Sequence, residues 1–199
     1  MFNHLSVASA FSFKYGTTQP HDLVARAAQF GAPALAITDR DSLAGVIRFV
    51  QAAKDFGIAP IVGVNLALDN SRVTLLAQSG TGTDSGWRSL CRLMSALRPD
   101  RNPPTLHLEK IKTLSEYTSN LILLHGPDSQ IANLITKHRP DQALHEFNKY
   151  RPYFADSVIE CVSHLAPGDG PRSTGHAGRM LGFARDHDLP AVITNGVRM

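Results

Sequence analysis

Polar side chains stand at the ends of short apolar segments along this chain, where hydroxyls, carboxylates and imidazoles could do acid–base or ligand chemistry. Ser9 and Ser12 follow the first such segment, and Asp39 directly ends the second. Other polar residues in or just after apolar segments are Thr38, Arg40, Asp41, Asn65, His125, Glu160, His164, Asn195 and Arg198. Functional groups of parallel α/β folds gather at the carboxyl ends of strands, so this set is the candidate site.

The two aspartates after the second segment have different interpretations. Asp41 fits a helix cap, because a helix is predicted to open with Ser42 as its N-cap. Asp39 ends a buried strand and is expected to point into the mouth of the fold, where the neighbouring Arg40 could pair with it.

Seven short, β-branched segments are predicted to be strands, and amphipathic helices separate most of them. The predicted strands are residues 4–9, 34–38, 60–68, 72–77, 120–125, 157–162 and 191–195. This alternation predicts βαβ units and a mostly parallel sheet. An open doubly wound sheet and a closed barrel both satisfy the pattern.

Helices are predicted between these strands by the spacing of apolar residues. The first, in residues 20–31, ends at Gly31, and the second runs from Ser42 to Gly57. Its predicted core positions are Leu43, Val46, Ile47, Val50 and Ala53. Later helices are predicted at 87–97, 130–137, 142–150 and 176–187, with a turn near 108–114.

Composition excludes several classes of protein. With 199 residues and 43% hydrophobic content, the chain has material for one domain with a sizeable core. No apolar stretch reaches the ~20 residues that span a bilayer and no basic leader opens the chain, so we expect a cytoplasmic protein without membrane partners.

Cys91 and Cys161 form no CxxC pair. The Gly80–Gly82 pair is a weak phosphate-loop match, read here as a flexible turn.

Charge permits a nucleic-acid partner without requiring one. Lysine and arginine together number 20 against 17 acidic residues, which gives a formal net charge of +3. No run of four basic residues forms a nucleic-acid-binding arm.

Three segments together resemble the PHP (polymerase and histidinol phosphatase) domain. They are FNHLSVASAFSF at the start, LVARAAQFGAPALAITDRDSLAGVIRFVQAAKDFGIAPIVGVNLAL, and DLPAVITNGVRM at the end. The resemblance is strongest to the version found in bacterial C-family DNA polymerases, both the DNA polymerase III alpha subunit and its error-prone relatives. It implies an α/β fold, a distorted seven-stranded (β/α)7 TIM-like barrel, over residues 1–199 as one domain.

Active members of this family hold two or three zinc, manganese or iron ions at the mouth of the barrel, where the ions activate water to attack a phosphoester. Aligned position by position, the family's ligand slots hold Ser6, Ala8, Arg40, Asn65, Gly196 and Arg198. None is a good metal ligand, and the two guanidinium groups carry permanent positive charge. The remaining mouth residues, Asp39, His125, Glu160 and His164, include too few imidazoles for a multinuclear site.

We therefore expect a degenerate metal site with no catalytic residues and no cofactor; any ion bound would be divalent, zinc or manganese. Arg40 and Arg198 are predicted to replace the metals structurally by pairing with Asp39 or Glu160. In an alternative, the two arginines bind a phosphate or another acidic group.

The leading hypothesis for function is a non-catalytic PHP domain of a DNA polymerase III alpha-type polymerase, excised from a longer chain. Its predicted partners are the remainder of the polymerase, a separate proofreading exonuclease or other replication and repair proteins, and DNA through the parent enzyme, a DNA-directed DNA polymerase. The alternatives are a stand-alone metal-dependent phosphoesterase or 3'-5' exonuclease of the PHP type, and an anion-sensing binding module.

Overall fold

The computed structural model describes residues 3–79, 85–97 and 103–198, which fold into two compact units. The first unit comprises residues up to Asn65 together with those from Thr194 onward, and the second comprises Leu66–Ile193. All seven predicted strands are present in the described residues, joined by two further strands of two residues each. The Gly80–Gly82 pair lies outside the described residues.

The first unit surrounds its core with two helices and four strand segments. Its elements are β1 (Val7–Ala8), α1 (Pro20–Gln29), β2 (Ala34–Ile37), α2 (Val46–Asp55), the first part of β3 (Ala59–Leu68) and β9 (Val197–Arg198). β1 pairs with β9 and β2 pairs with β3, both in parallel. Leu23, Val24, Ile37 and Phe49 are buried together between these elements.

Glycines end both helices of this unit, as predicted. Gly31 and Gly57 have φ values of +66° and +69°, a conformation that only glycine adopts readily. Gly31 donates its backbone N–H to the carbonyl of Ala28 at 2.9 Å, which satisfies an acceptor that the end of α1 would leave unpaired.

The prediction for the start of α2 is wrong. The helix begins at Val46 after Gly45, and the Ser42 hydroxyl accepts the backbone N–H of Ala44 instead of capping a helix. The cause is that the chain continues along β3 past the end of β2: Arg40 forms a parallel bridge with Asn65. Asp41, at φ +56°, is therefore not a helix cap.

The predicted core face of α2 is also partly wrong. Val46 and Ala53 are buried as expected, but Ile47 is 71% exposed and Val50 is 38% exposed. Phe49 fills the core instead, because Val46, Phe49 and Ala53 share one face at helical spacing. Ile47 and Val50 lie on the neighbouring face, rotated toward solvent.

The second unit contains the larger set of elements. They are the end of β3, β4 (Ser71–Ala77), α3 (Gly86–Ala96), β5 (Thr105–Leu106), α4 (Leu108–Thr113), α5 (Ser115–Thr118), β6 (Leu121–His125), α6 (Gln130–Thr136), α7 (Pro140–Tyr150), β7 (Asp156–Val162), α8 (Thr174–Asp186) and β8 (Ala191–Thr194). Its strand order is β4–β6–β7–β8, and the end of β3 pairs with β5. Phe147, Ile159, Met180 and Phe183 belong to its core.

The strand β4 departs from the parallel pattern in this unit. β6 and β7 are parallel, whereas β4 and β6 are antiparallel. Only Asp69 and Asn70 separate β3 from β4, and a parallel return requires a crossover of about a dozen residues. The chain therefore reverses direction at this turn. Of the described helices, none is long and apolar enough to cross a bilayer.

Candidate functional site

Asp39 is the centre of the candidate site in the first unit. It follows β2, is 1% exposed, and accepts three hydrogen bonds. Its Oδ1 accepts the backbone N–H of Ser9 at 2.6 Å and the hydroxyl of Ser12 at 2.7 Å, and its Oδ2 accepts the hydroxyl of Ser9 at 2.8 Å. Charge-assisted bonds of this kind are the means by which a buried carboxylate is stabilised.

The two serines also accept hydrogen bonds, which ties the segment after β1 to the segment after β2. The Ser12 hydroxyl accepts the backbone N–H of Arg40 at 2.9 Å, and the Ser9 hydroxyl accepts that of Phe11 at 3.2 Å. Each hydroxyl therefore donates its proton to Asp39 and accepts one hydrogen bond from the backbone.

Two glycines permit this close packing, and sequence reasoning did not identify them. A Cβ on Gly16 would collide with the backbone carbonyl of Ser9. A Cβ on Gly45 would lie 2.8 Å from Oδ2 of Asp39 and 2.9 Å from the ring of Phe11. The only sequence feature that could have indicated either role is a glycine a few residues after a predicted strand.

Arg40 has partners other than Asp39. Its Nε lies 3.8 Å from Oδ2 of Asp41, and its guanidinium lies 5.1 Å from the centre of the Tyr15 ring. Its side chain is 40% exposed. The predicted pairing of Arg40 with Asp39 is therefore not found among the described contacts, where the serines take that place.

The other residues of the first unit that occupy the family's ligand positions lie close to one another or to Asp39 through backbone contacts. Val197 donates its N–H to the carbonyl of Ser6 at 2.8 Å, and Ala8 pairs with Arg198 in the β1–β9 ladder. Gly196 is buried with φ at +56°. Asn65 donates its backbone N–H to the carbonyl of Asp39 at 3.0 Å. The side chain of Arg198 lies outside the described part of the structure, and so do its predicted ion pairs.

His125 and Glu160 lie close together in the second unit, at the ends of the neighbouring strands β6 and β7. His125 pairs in register with Ile159, and a Cβ on Gly126 would collide with Oε2 of Glu160. His125 is 2% exposed, its ring centre lies 5.4 Å from that of Phe147, and its Nε2 has no hydrogen-bond partner among the described residues. Burial lowers the pKa of His125 to about 3, so the imidazole is neutral at physiological pH.

His164 is separated from this pair along the chain and is exposed. It follows β7, and its backbone N–H donates to the carbonyl of Arg172 at 2.8 Å. His164 therefore lies on the surface, while His125 and Glu160 are interior groups.

A polar cluster in the second unit was missed by sequence reasoning. Nδ1 of His107 lies 2.8 Å from Oδ1 of Asp69, and the Tyr150 hydroxyl donates to Oδ2 of Asp69 at 2.7 Å. Although burial opposes them, these two hydrogen bonds hold the pKa of Asp69 below its usual value. Burial, followed by the bond to Asp69, raises the pKa of Tyr150. His107 and Tyr150 are 38 and 81 residues from Asp69, so no local pattern could have connected them.

The described residues contain no group of three or more histidine, cysteine, aspartate or glutamate side chains arranged to hold a metal ion. What the first unit does bring together is one carboxylate with hydroxyl and amide donors. Such an arrangement can fix two chain segments to one another.

Comparison with families of proteins gives one match. A family model described as the PHP domain matches residues 4–164. This range includes every residue of the Asp39 cluster and both strands that carry His125 and Glu160.

The curated relatives are bacterial DNA polymerases. The error-prone DNA polymerase of Symbiobacterium thermophilum is 36% identical over 98% of this chain, which covers 19% of that protein. The DNA polymerase III subunit alpha of Buchnera aphidicola is 34% identical over 78% of this chain and 14% of its own length. The chain therefore spans less than a fifth of the length of these two relatives.

Solved structures show the same fold at lower identity. A two-domain protein of Bacteroides vulgatus that contains a predicted PHP-like metal-dependent phosphoesterase superposes with a TM-score of 0.56 and 14% identity, over 98% of this chain and 51% of that one. The likeness confirms the fold class predicted from the sequence, the α/β, distorted TIM-like barrel type.

Proposed function

Because the chain belongs to the PHP domain family, we propose that it serves as the PHP domain of a bacterial C-family DNA polymerase, of the DNA polymerase III alpha or error-prone type. Its role in that enzyme is structural and partner-docking rather than hydrolytic. The 199 residues act as one PHP domain within the longer chain that the relatives possess.

The Asp39 cluster carries the proposal of a non-hydrolytic role. The strand-end carboxylate is bonded by Ser9 and Ser12 through both of its oxygens. Ala8, in a ligand slot, has no donor atom, and Arg40, in another, carries a permanent positive charge beside this carboxylate in the chain. These residues do not fit a cluster of divalent metal ions, which requires several carboxylate and imidazole ligands on each ion.

In this proposal the hydrogen bonds of Asp39 fix the segments that follow β1 and β2, as metal ions would in an active member of the family. A metal ion would hold two loops by ligating a side chain from each. Here Asp39 accepts from both serines, and the backbone N–H of Arg40 returns a bond to Ser12. We therefore assign Asp39, Ser9 and Ser12 a positioning role.

The partners of the proposed domain follow from its parent enzyme. They are the remainder of the polymerase chain, a proofreading exonuclease or other replication and repair proteins, and DNA held by the parent polymerase. Such an enzyme works in the bacterial cytoplasm, where we place this chain.

A hydrolysis assay tests the proposal. The purified 199-residue chain is incubated with end-labelled single-stranded DNA and with a generic phosphomonoester, in the presence of Mn²⁺ or Zn²⁺. We expect no metal-dependent release of nucleotide or phosphate above the level of an Asp39→Asn variant. Hydrolysis by the wild-type chain that Asp39→Asn abolishes would instead establish the alternative function, a metal-dependent phosphoesterase or 3'-5' exonuclease.

A further inference from the structure

The segment after β1 carries an aromatic side chain at every second position, three in all. Phe11, Phe13 and Tyr15 alternate with Ser12 and Lys14, and we call residues 11–15 the aromatic loop. Phe13 is 84% exposed, more than any other large hydrophobic side chain of the described residues. An exposed phenyl ring adds nothing to the folding of this unit, because it leaves its apolar surface in water.

Each aromatic ring of this loop has a cation beside it. The Lys14 ammonium lies 5.5 Å from the centre of the Phe13 ring, the Arg40 guanidinium 5.1 Å from that of Tyr15, and the Arg48 guanidinium 5.5 Å from that of Phe11. Three of the six cation–π contacts of the described residues therefore fall on the rings of five consecutive residues.

The aromatic loop is held in a single shape before any ligand arrives. Tyr15 and Gly16 both donate their backbone N–H groups to the carbonyl of Ser12, and Ala10 donates to Thr18 across the base of the loop at 2.8 Å. The Ser12 hydroxyl joins this base to the buried Asp39. A loop that is already ordered loses little conformational entropy on binding.

We propose that the aromatic loop, with Arg40 and Arg48, binds single-stranded DNA. Bases of any sequence stack on aromatic rings, and the phosphates between them pair with lysine and arginine, so a strand needs rings and cations in alternation. The loop and the two arginines together supply three rings and three cations; the Asp41 carboxylate pairs with Arg40, and the buried Asp39 carboxylate is hydrogen-bonded to Ser9 and Ser12. Protein–protein interfaces are also enriched in aromatic residues and arginine but are depleted in lysine, and here Lys14 lies between Phe13 and Tyr15.

This binding goes beyond the proposed structural role and needs neither a metal nor hydrolysis. Arg48 and Lys14 occupy no ligand slot of the family, and Phe13 takes no part in the Asp39 cluster. The inference therefore stands or falls separately from the claim that the domain is non-hydrolytic.

Fluorescence anisotropy of a labelled oligothymidylate of about 20 nucleotides, titrated with the full 199-residue chain in EDTA at about 50 mM salt, tests the inference. The test variant is Phe13→Ala. The matched control is Phe30→Ala, which removes another exposed ring, 73% exposed, with the Arg26 guanidinium 4.5 Å from its centre.

We expect Phe13→Ala to weaken binding at least about fivefold, the loss of one stacked base, and Phe30→Ala to leave it unchanged. Arg48→Ala should lower the slope of log affinity against log salt by about 0.7, the loss of one phosphate contact. The inference would be overturned if Phe13→Ala and Arg48→Ala both left binding unchanged, if Phe30→Ala weakened binding as much as Phe13→Ala, or if the wild type did not bind. The last result would assign the loop to an acidic protein partner instead.

Discussion

Asp39 shows how a single buried carboxylate holds two segments of chain. An isolated carboxylate inside a protein loses its hydration and is strongly destabilising unless hydrogen bonds replace the water. Here one backbone amide and two serine hydroxyls supply those bonds from the segment after β1. The stability of the buried Asp39 carboxylate therefore depends on the position of the segment after β1, and the reverse is also true.

Replacing Asp39 by asparagine tests that coupling. The Asp39→Asn side chain keeps the size but loses the charge, and its NH₂ group faces a hydroxyl that now has no acceptor. We expect the free energy of unfolding in urea to fall by about 2–4 kcal/mol. The matched control is Asp186→Asn on α8, whose side chain is 61% exposed beside Arg185 and should change stability by less than about 0.5 kcal/mol. Equal stability of the two variants would contradict the coupling.

His125 makes a prediction about pH. Burial lowers its folded pKa to about 3 from an unfolded value of 6.5, so between these values the unfolded chain binds a proton that the folded chain does not. Stability is therefore lost as pH falls below about 6.5, by up to about 1.4 kcal/mol per pH unit. Burial also lowers the pKa values of His4 and His176, which add to the same trend.

Urea unfolding between about pH 5 and 7 separates His125 from the other histidines. We expect the stability of a His125→Gln variant to depend less steeply on pH than that of the wild type. His164→Gln, at an exposed position, is the matched control. If His125→Gln keeps the full slope as well, the buried imidazole is not the titrating group.

At the scale of the element, the short segment between β2 and α2 sets the geometry of the candidate site. Arg40 and Asp41 extend the strand along Asn65, and α2 then starts at Val46 with Gly45 packed on Asp39 and Phe11. The helix has no side-chain cap. We expect its first turn to be held in part by this contact with the Asp39 cluster.

Gly45→Ala tests this contact. The added methyl group would lie 2.8 Å from Oδ2 of Asp39 and 2.9 Å from the ring of Phe11, so we expect destabilisation by about 1–3 kcal/mol. Gly178→Ala within α8 is the matched control, because its Cβ meets nothing within 4 Å. There alanine should leave stability unchanged or raise it by up to about 1 kcal/mol. A Gly45→Ala protein as stable as wild type would show that α2 does not press on the cluster.

The sequence predicted the strands well, because hydrophobic runs are local signals. The rule for parallel strands put Asp39, Ser9 and Ser12 in one candidate set, but the partner predicted for Asp39 was Arg40 and not the serines. The start of α2 and the exposure of Ile47 and Val50 were not predicted, since a bridge between Arg40 and Asn65 decides them. Helical periodicity cannot predict a strand bridge between two residues that are 25 positions apart in the sequence.

At the scale of the whole molecule, the fold alone does not decide the chemistry. The same fold is found in a protein described as containing a predicted PHP-like metal-dependent phosphoesterase, at 14% identity, whereas the relatives by sequence include polymerases more than five times longer. Function lies in the residues placed on the fold. In this chain we propose that those residues are Asp39 and its serines, together with Arg40 in a ligand slot.

The metal content of the purified chain tests the central claim, that hydrogen bonds have replaced the metal cluster, most directly. The 199-residue protein is equilibrated with excess Mn²⁺ or Zn²⁺, passed through a desalting column and examined by elemental analysis, with Asp39→Asn treated in parallel. The account predicts far less than one ion per chain in both proteins. One or more tightly held ions in the wild type, lost in Asp39→Asn, would contradict it.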